Sequence, residues 1–115
     1  MKAPTQCVFW TNPKLVQGPP QERFEVIETY VNDSHLSRCL LKCRECGQLY
    51  FHEFYEWIDW EDGDDPQYTT YIPVETAAEI ETLKNTSPFE LLQFSPRLRI
   101  DFPKGAKVPT VYWVE

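Results

Sequence analysis

A two-residue turn at 44–45, between two runs of strand-type sequence, constrains the fold more than any other feature. The first run covers residues 36–43, and the second, which is long and aromatic, covers residues 48 to about 60. A connection this short joins neighbouring antiparallel strands, and it would set Cys43 opposite Cys46. The sequence therefore predicts an antiparallel hairpin in the middle of the chain.

The long aromatic run fits two different periods. Phe51, Phe54, Tyr55 and Ile58 lie at helical spacing, so a helix competes with a strand there. Two features favour the strand, namely the dominance of aromatic residues and the glycine that precedes the run. A strand of this length is expected to bend or bulge near Glu53.

The remaining sequence predicts more strands and a short helical region. Four further segments have strand-type alternation or composition: 23–31, 68–74, 97–102 and 110–114. Good helix formers occupy 76–84, and Ser87 with Glu90 forms a capping box for a second short helix. We therefore expect an α+β fold, with a mostly antiparallel β-sheet and one or two short helices between about 75 and 95.

The N-terminal segment, residues 1–21, differs from the rest because it is rich in proline. Prolines oppose regular structure, so we expect an irregular arm with only short extended pieces such as residues 7–10, packed on the domain by its apolar side chains. Of the 115 residues, 42% are hydrophobic and 15% aromatic. Such a chain can form a single domain, 1–115, with its own core.

Negative charge is concentrated in the segment 53–65. No lysine or arginine occurs between Arg44 and Lys84, and the acids of the segment account for the whole net charge of -7. These acids are Glu53, Glu56, Asp59, Glu61, Asp62, Asp64 and Asp65. Trp57 and Trp60 are interleaved with them, which suits recognition of a basic protein surface. Because basic residues are not clustered, we expect binding neither to nucleic acid nor to an anionic membrane.

Other interpretations of the acidic segment remain open. An EF-hand register would put Ile58 at the first ligand position and is excluded, although a looser divalent-ion site is compatible with the acids. Neighbouring carboxylates also suit acid-base hydrolysis. The simplest alternative is a solvated loop that keeps the protein soluble, with Trp57 and Trp60 buried in the core. The exposure of the two tryptophans therefore distinguishes a binding surface from a solubilising loop.

The sequence Cys43-Arg44-Glu45-Cys46-Gly47 resembles the knuckle of zinc ribbons and rubredoxin-like domains, in which two thiolates project toward one metal. The resemblance implies one structural zinc held by Cys43 and Cys46. The remaining ligands would come from this set: Cys7, Cys39, His35 and His52. Cys39 lies about 13 Å from Cys43 along a regular strand, and His52 is similarly remote unless the strand bends. A redox-active thiol pair and ordinary reduced cysteines are the alternatives.

The function expected from these patterns is binding without catalysis. Neither histidine sits in a nucleophile signature, and no phosphate-binding glycine loop occurs, so we expect a non-enzymatic protein. The lack of an apolar signal segment or membrane-length run predicts a cytoplasmic location. In size, charge and aromatic content the chain is similar to small acidic immunity proteins of bacteria, which neutralise cationic toxins. We expect a module that binds a basic protein through the segment 53–65; the alternative is a small zinc-ribbon-like protein with Cys43 and Cys46 as structural ligands.

Overall fold

Six strands cross one antiparallel sheet in the order in which they occur in the chain. The computed structural model, which describes residues 1–115, gives these bounds: β1 Phe24–Asn32, β2 Leu36–Cys43, β3 Leu49–Glu56, β4 Gln67–Val74, β5 Arg97–Phe102 and β6 Thr110–Val114. Each strand pairs only with its neighbours in sequence. The expected antiparallel sheet is confirmed, with β1 and β6 at its two edges.

Short helical segments lie near the N-terminus and between β4 and β5. They are α1 (Val8–Thr11), a 3-10 turn (Pro13–Val16), α2 (Pro20–Arg23), α3 (Ala77–Lys84) and a second 3-10 turn (Glu90–Gln93). The last two fall in the region 75–95, where the sequence predicts one or two helices. None of the helices has the length and apolar character needed to cross a membrane.

A capping box forms at the start of α3 and not at the second 3-10 turn. Thr76 Oγ1 accepts a hydrogen bond from the Glu79 N–H at 3.1 Å, and the Glu79 carboxylate accepts one from the Thr76 N–H at 3.2 Å. Ser87 Oγ accepts a bond from the Glu90 N–H at 3.3 Å, but a 3-10 turn follows it. The pattern at Ser87 and Glu90 therefore predicts the correct place for a helical turn but the wrong type.

The prediction of an extended piece at residues 7–10 is wrong. Residues Val8–Thr11 form α1, and prolines begin the next two turns, with Pro13 and Pro20 as their first residues. Proline is favourable at the first helical position because its φ is already helical and its missing N–H needs no partner. The prolines therefore divide the arm into short helical turns instead of excluding helix.

Strand β3 ends at Glu56, earlier than the predicted end near residue 60. The chain leaves the sheet there in a loop, which is closed by a hydrogen bond from the Trp57 N–H to the Pro66 carbonyl at 3.0 Å. The bulge expected near Glu53 is also absent, and the register irregularities lie in β1. A bulge in β3 would interrupt two ladders, whereas β1 is an edge strand and tolerates it.

The sheet separates two hydrophobic cores. The N-terminal arm covers one face, where the buried residues are Cys7, Phe9, Val16, Phe24, Leu41, Cys43, Tyr50, Tyr71 and Leu98. Helix α3 and the second 3-10 turn cover the other, with Leu40, Phe51, Ile72, Val74, Leu83 and Leu91. Alternation along β2 turns Cys43 toward the arm and Arg38 toward α3. The arm is therefore packed against the face that carries the cysteine knuckle.

Candidate metal centre and aromatic-acidic surface

Three cysteines from separate elements lie together where β2 ends. The Sγ atoms of Cys7, Cys43 and Cys46 all lie within 4.8 Å of one another. Cys7 and Cys43 are buried, Cys46 is exposed, and all three are free thiols. In a tetrahedral zinc site with zinc–sulfur bonds of about 2.3 Å, the sulfurs are about 3.8 Å apart. The three sulfur atoms therefore need only small movements to share one ion.

The turn after β2 positions Cys43 and Cys46. The Cys43 N–H donates to the Gln48 carbonyl at 2.8 Å, and the Gly47 N–H donates to the Cys43 carbonyl at 2.9 Å. The connection is therefore longer than two residues, and the predicted pairing of Cys43 with Cys46 across it is wrong. Gly47 has a φ of 81°, which residues with a Cβ rarely adopt. This conformation returns the chain to β3 while both thiols remain together.

The N-terminal arm supplies the third thiol. The Cys7 N–H donates to the Pro4 carbonyl at 2.9 Å, directly before α1. The Phe9 ring stacks on Phe24 with a centroid distance of 4.9 Å, and the Phe9 carbonyl accepts a bond from the Trp113 indole at 2.7 Å. Contacts within the arm and with the sheet therefore hold Cys7 beside the knuckle.

The chemistry of the donor set fits a soft divalent ion. Thiolates are the ligands that zinc prefers in structural sites. Burial raises the pKa of the Cys7 thiol to about 12. The buried Tyr50 hydroxyl approaches this thiol but forms no well-oriented hydrogen bond. A thiolate is a stronger acceptor than a thiol, so metal binding would give the Tyr50 hydroxyl a partner.

A cavity of about 340 Å³ opens beside the thiols and is lined in part by Cys7, Cys46 and Glu75. No histidine, carboxylate or fourth cysteine has its ligand atom within the same 4.8 Å group. The cluster therefore offers three protein ligands next to an open cavity.

The other predicted metal ligands lie elsewhere. Cys39 Sγ is 3.6 Å from His52 Nδ1, and His35 Nδ1 is 3.0 Å from Glu56 Oε1. Cys39 and His52 are direct partners in the regular pairing of β2 with β3, so no bend brings either of them to the knuckle. Of the possible further ligands named from the sequence, the structure brings only Cys7 to Cys43 and Cys46.

The contact between Cys39 and His52 differs from the pair in a cysteine nucleophile. Burial raises the pKa of Cys39 to about 11 and lowers the pKa of His52 to about 4. Both shifts favour the neutral thiol and imidazole over the thiolate-imidazolium pair that activates such cysteines. His52 also packs against Tyr71, with ring centroids 4.8 Å apart. The pair is therefore an uncharged packing contact.

The buried His52 should make the protein less stable in mild acid. Its pKa is about 4 in the folded chain against a usual value of 6.5, so the unfolded chain binds the proton first as the pH falls. The stability that depends on neutral His52 is fully present above pH 6.5. The free energy of unfolding then falls by about 3 kcal/mol as the pH drops to 4. We expect His52→Gln to gain stability relative to the unsubstituted protein over this range, measured by urea denaturation. A pH-independent difference between the two proteins would contradict this.

Both tryptophans of the acidic segment are exposed. Trp60 is 90% exposed and Trp57 is 53% exposed. Tyr55, Trp57 and Phe89 contact one another edge to face. The ring centroids are 6.4 Å apart for Tyr55 and Trp57, 6.3 Å for Tyr55 and Phe89, and 6.4 Å for Trp57 and Phe89. The interpretation that places both indoles in the core is therefore excluded. Trp57, Trp60 and the acids of the loop after β3 are called the aromatic-acidic surface below.

Lys104 reduces the free charge of this surface. Its Nζ lies 2.8 Å from Asp59 Oδ2 and 2.7 Å from Asp62 Oδ2. These contacts hold the pKa of the Asp59 carboxyl below its usual value, chiefly through the hydrogen bond from Lys104. Asp64 accepts a bond from the Gly105 N–H at 2.8 Å. The loop is therefore tied to the β5–β6 connection, and Lys104 offsets part of its negative charge.

The other acids of the segment occupy different environments. Glu53 is only 4% exposed and receives a bond from Arg38 Nε at 2.8 Å, because alternation in β3 turns it toward α3. Glu56 contacts a histidine and a glutamine, and Asp65 accepts the Asp59 N–H. The Glu61 carboxylate has no such partner in the protein. Burial therefore removes Glu53 from the open surface and leaves Glu61 as its freest charge.

Two residues that the sequence did not identify belong to this region. Phe89 contacts Trp57, and Lys104 pairs with the acids of the loop. Both reach the surface through the packing of distant chain segments, which local patterns do not encode. No local signal distinguished Phe89, because the same short segment also contains Leu91, Leu92 and Phe94.

Comparison of the chain with protein-family models, with curated proteins and with solved structures finds no match. Functional inference therefore rests on the residues described above.

Proposed function

We propose that this protein binds one zinc ion through Cys7, Cys43 and Cys46, and that the ion links the N-terminal arm to the sheet. The mutual approach of the three Sγ atoms to within 4.8 Å carries the proposal. One thiol comes from the arm and two come from a knuckle, and convergence of thiols from separate elements is typical of structural zinc sites. The buried Tyr50 hydroxyl, which gains an acceptor when the thiols ionise, supports it further.

The fourth ligand would differ from that of a zinc ribbon, in which a second knuckle completes the site. Here it would be water or a side chain at the adjoining cavity, such as Glu75. Because the ligands join two elements of the fold, the ion would act on stability. Elemental analysis of protein purified without a histidine tag tests the proposal. About one zinc per chain supports it, and less than about a tenth of an equivalent contradicts it.

The exposure of Trp57 and Trp60 favours a second function. We propose that the aromatic-acidic surface binds a basic protein, in the manner of an immunity protein that covers a cationic toxin. Exposed indoles are frequent anchors at protein interfaces, and surrounding carboxylates speed the approach of a positively charged partner. Lys104 pairs with two acids of the loop, but the Glu61 carboxylate has no partner in the protein. Glu61 and the net charge of -7 of the whole chain would supply this attraction.

A basic probe should bind this surface in a salt-dependent way. We expect an octa-arginine peptide to bind at about 20 mM salt and to lose about tenfold in affinity at about 500 mM, because salt screens exposed charges. Substituting both Trp60→Ser and Glu61→Gln should weaken binding about tenfold. Glu25→Gln, which removes an exposed acid of β1, is the matched control. Calorimetry that finds no binding at low salt, or equal binding by all three proteins, contradicts the proposal.

A further inference from the structure

A further cavity lies beside Trp57, on the sheet face that α3 covers. It has a volume of about 300 Å³, and its walls include the rings of Tyr55, Trp57, Tyr68 and Phe89, with Glu53 and Arg99 also in the lining. This volume is at the lower end of the range of about 300 to 1,000 Å³ found for ligand sites. The cavity, called the aromatic pocket below, therefore suits one side chain better than a cofactor.

The aromatic walls are open to solvent. Tyr55, Trp57 and Phe89 contact one another edge to face, and both Trp57 and Phe89 are exposed although they are large and apolar. Aromatic faces carry partial negative charge and attract cations, and arginine stacks on them especially well. The walls therefore present a surface with a preference for positive, planar groups.

Glu53 provides a hydrogen-bond acceptor inside the pocket. Arg38 Nε and Nη2 approach the same oxygen, Oε2, at 2.8 and 2.6 Å. Oε1 has no hydrogen-bond partner in the protein, although Glu53 is buried and lines the pocket. Oε1 is not fully enclosed by the protein, so it remains free to accept a hydrogen bond from a group in the pocket. A ligand with N–H groups would satisfy it.

Arg99 also lines the pocket, but its charge is neutralised. Its Nε and Nη2 lie 2.9 and 2.8 Å from Asp101 Oδ1, and its guanidinium lies over the Tyr68 ring at 5.4 Å. Arg38 and Glu53 form a second neutral pair. The charge that an incoming group meets therefore comes from the nearby acidic loop. Trp57 connects the two regions, because it borders both the pocket and a cavity of about 500 Å³ that Glu61 helps to line.

We propose that the aromatic pocket receives one arginine side chain of a basic protein partner, held between the aromatic walls and hydrogen-bonded to Glu53 Oε1. This inference rests on the proposed binding of a basic protein and names the group recognised. A guanidinium is planar, weakly hydrated and rich in donors, so it can stack and donate to Glu53 at the same time. A lysine ammonium is more strongly hydrated and does not stack, and it should bind less well.

Blocked tripeptides that differ only at the central residue test the proposal. We expect the arginine peptide to shift the Trp57 indole N–H resonance and to bind at least about tenfold tighter than the peptide with citrulline, its neutral isostere. The lysine peptide should bind with an affinity between those of the arginine and citrulline peptides. Phe89→Ala should weaken arginine binding about tenfold without unfolding the protein, because Phe89 is exposed. Val26→Ala, which truncates an exposed apolar residue of β1 outside the pocket, should leave arginine binding unchanged.

Either of two results overturns the proposed arginine site. One is equal affinity for the arginine and citrulline peptides, and the other is an affinity for the arginine peptide that Phe89→Ala does not change. Octa-arginine then separates this failure from that of the proposed function. If the peptide binds the unsubstituted protein and Phe89→Ala equally, the surface still recognises a basic partner but not through the pocket. If it binds neither protein at low salt, the binding of a basic protein is itself wrong.

Discussion

Replacing Cys43 with serine should remove bound zinc and lower the melting temperature by about 10 °C or more. Zinc contributes about 10 to 16 kcal/mol to the folding of small zinc-dependent peptides, and we expect a smaller share, about 3 kcal/mol, in a domain with its own core. Cys43 is buried at the end of β2 and is one of the two proposed ligands in the knuckle. Its loss leaves too few thiolates to retain the ion, and the arm is then held to the sheet only by its packing and hydrogen bonds.

Chelation separates the loss of zinc from the loss of packing. Removing zinc from the unsubstituted protein should lower its melting temperature nearly to that of Cys43→Ser, while the variant itself should not respond. Cys39→Ser is the matched control, because Cys39 is also a cysteine of β2, half-buried, but contacts His52 instead of the knuckle. It should retain about one zinc per chain. Equal zinc loss in both variants, or a chelator effect on Cys43→Ser, would argue against the three-thiol centre.

Local sequence patterns predict most of the sheet, because each strand pairs with its sequence neighbour. In such a topology, alternation and turn residues already determine which strands are adjacent. The end of β3 is the main exception. Trp57, Ile58 and Trp60 suit a strand by composition, but a hydrogen bond from the Trp57 N–H to the Pro66 carbonyl closes the loop there. That contact joins both ends of a loop and has no signature within the run itself.

The candidate sites depend more strongly on contacts between distant segments. Cys43 and Cys46 are recognisable from their spacing, whereas Cys7 joins them only after the arm folds into helical turns against the sheet. The acidic loop is recognisable from its composition, but its partial neutralisation by Lys104 requires the β5–β6 connection to lie beside it. Composition therefore locates the charged region and overstates how much of its charge is free.

Substituting Arg38 with methionine should destabilise the protein by about 3 to 5 kcal/mol, because it leaves Glu53 buried without its cationic partner. Arg38 is only 5% exposed and lies 2.6 Å from Glu53 Oε2. Its Nη1 also donates to the Leu83 and Lys84 carbonyls at the end of α3. Urea denaturation measures the change. A double variant, Arg38→Met with Glu53→Leu, should recover most of the loss, since it removes both charges together.

The pH dependence of this loss identifies its cause. Burial already raises the pKa of Glu53 above its usual value, against the opposing effect of Arg38. Without Arg38 the raising effect of burial is no longer opposed, so the folded variant holds a proton on Glu53 to a higher pH than the unfolded chain does. The stability of Arg38→Met should therefore approach that of the unsubstituted protein in acid, and the deficit should grow as the pH rises through the raised pKa. A deficit that stays constant with pH would instead indicate lost packing or lost bonds to α3, because neither depends on the charge of Glu53.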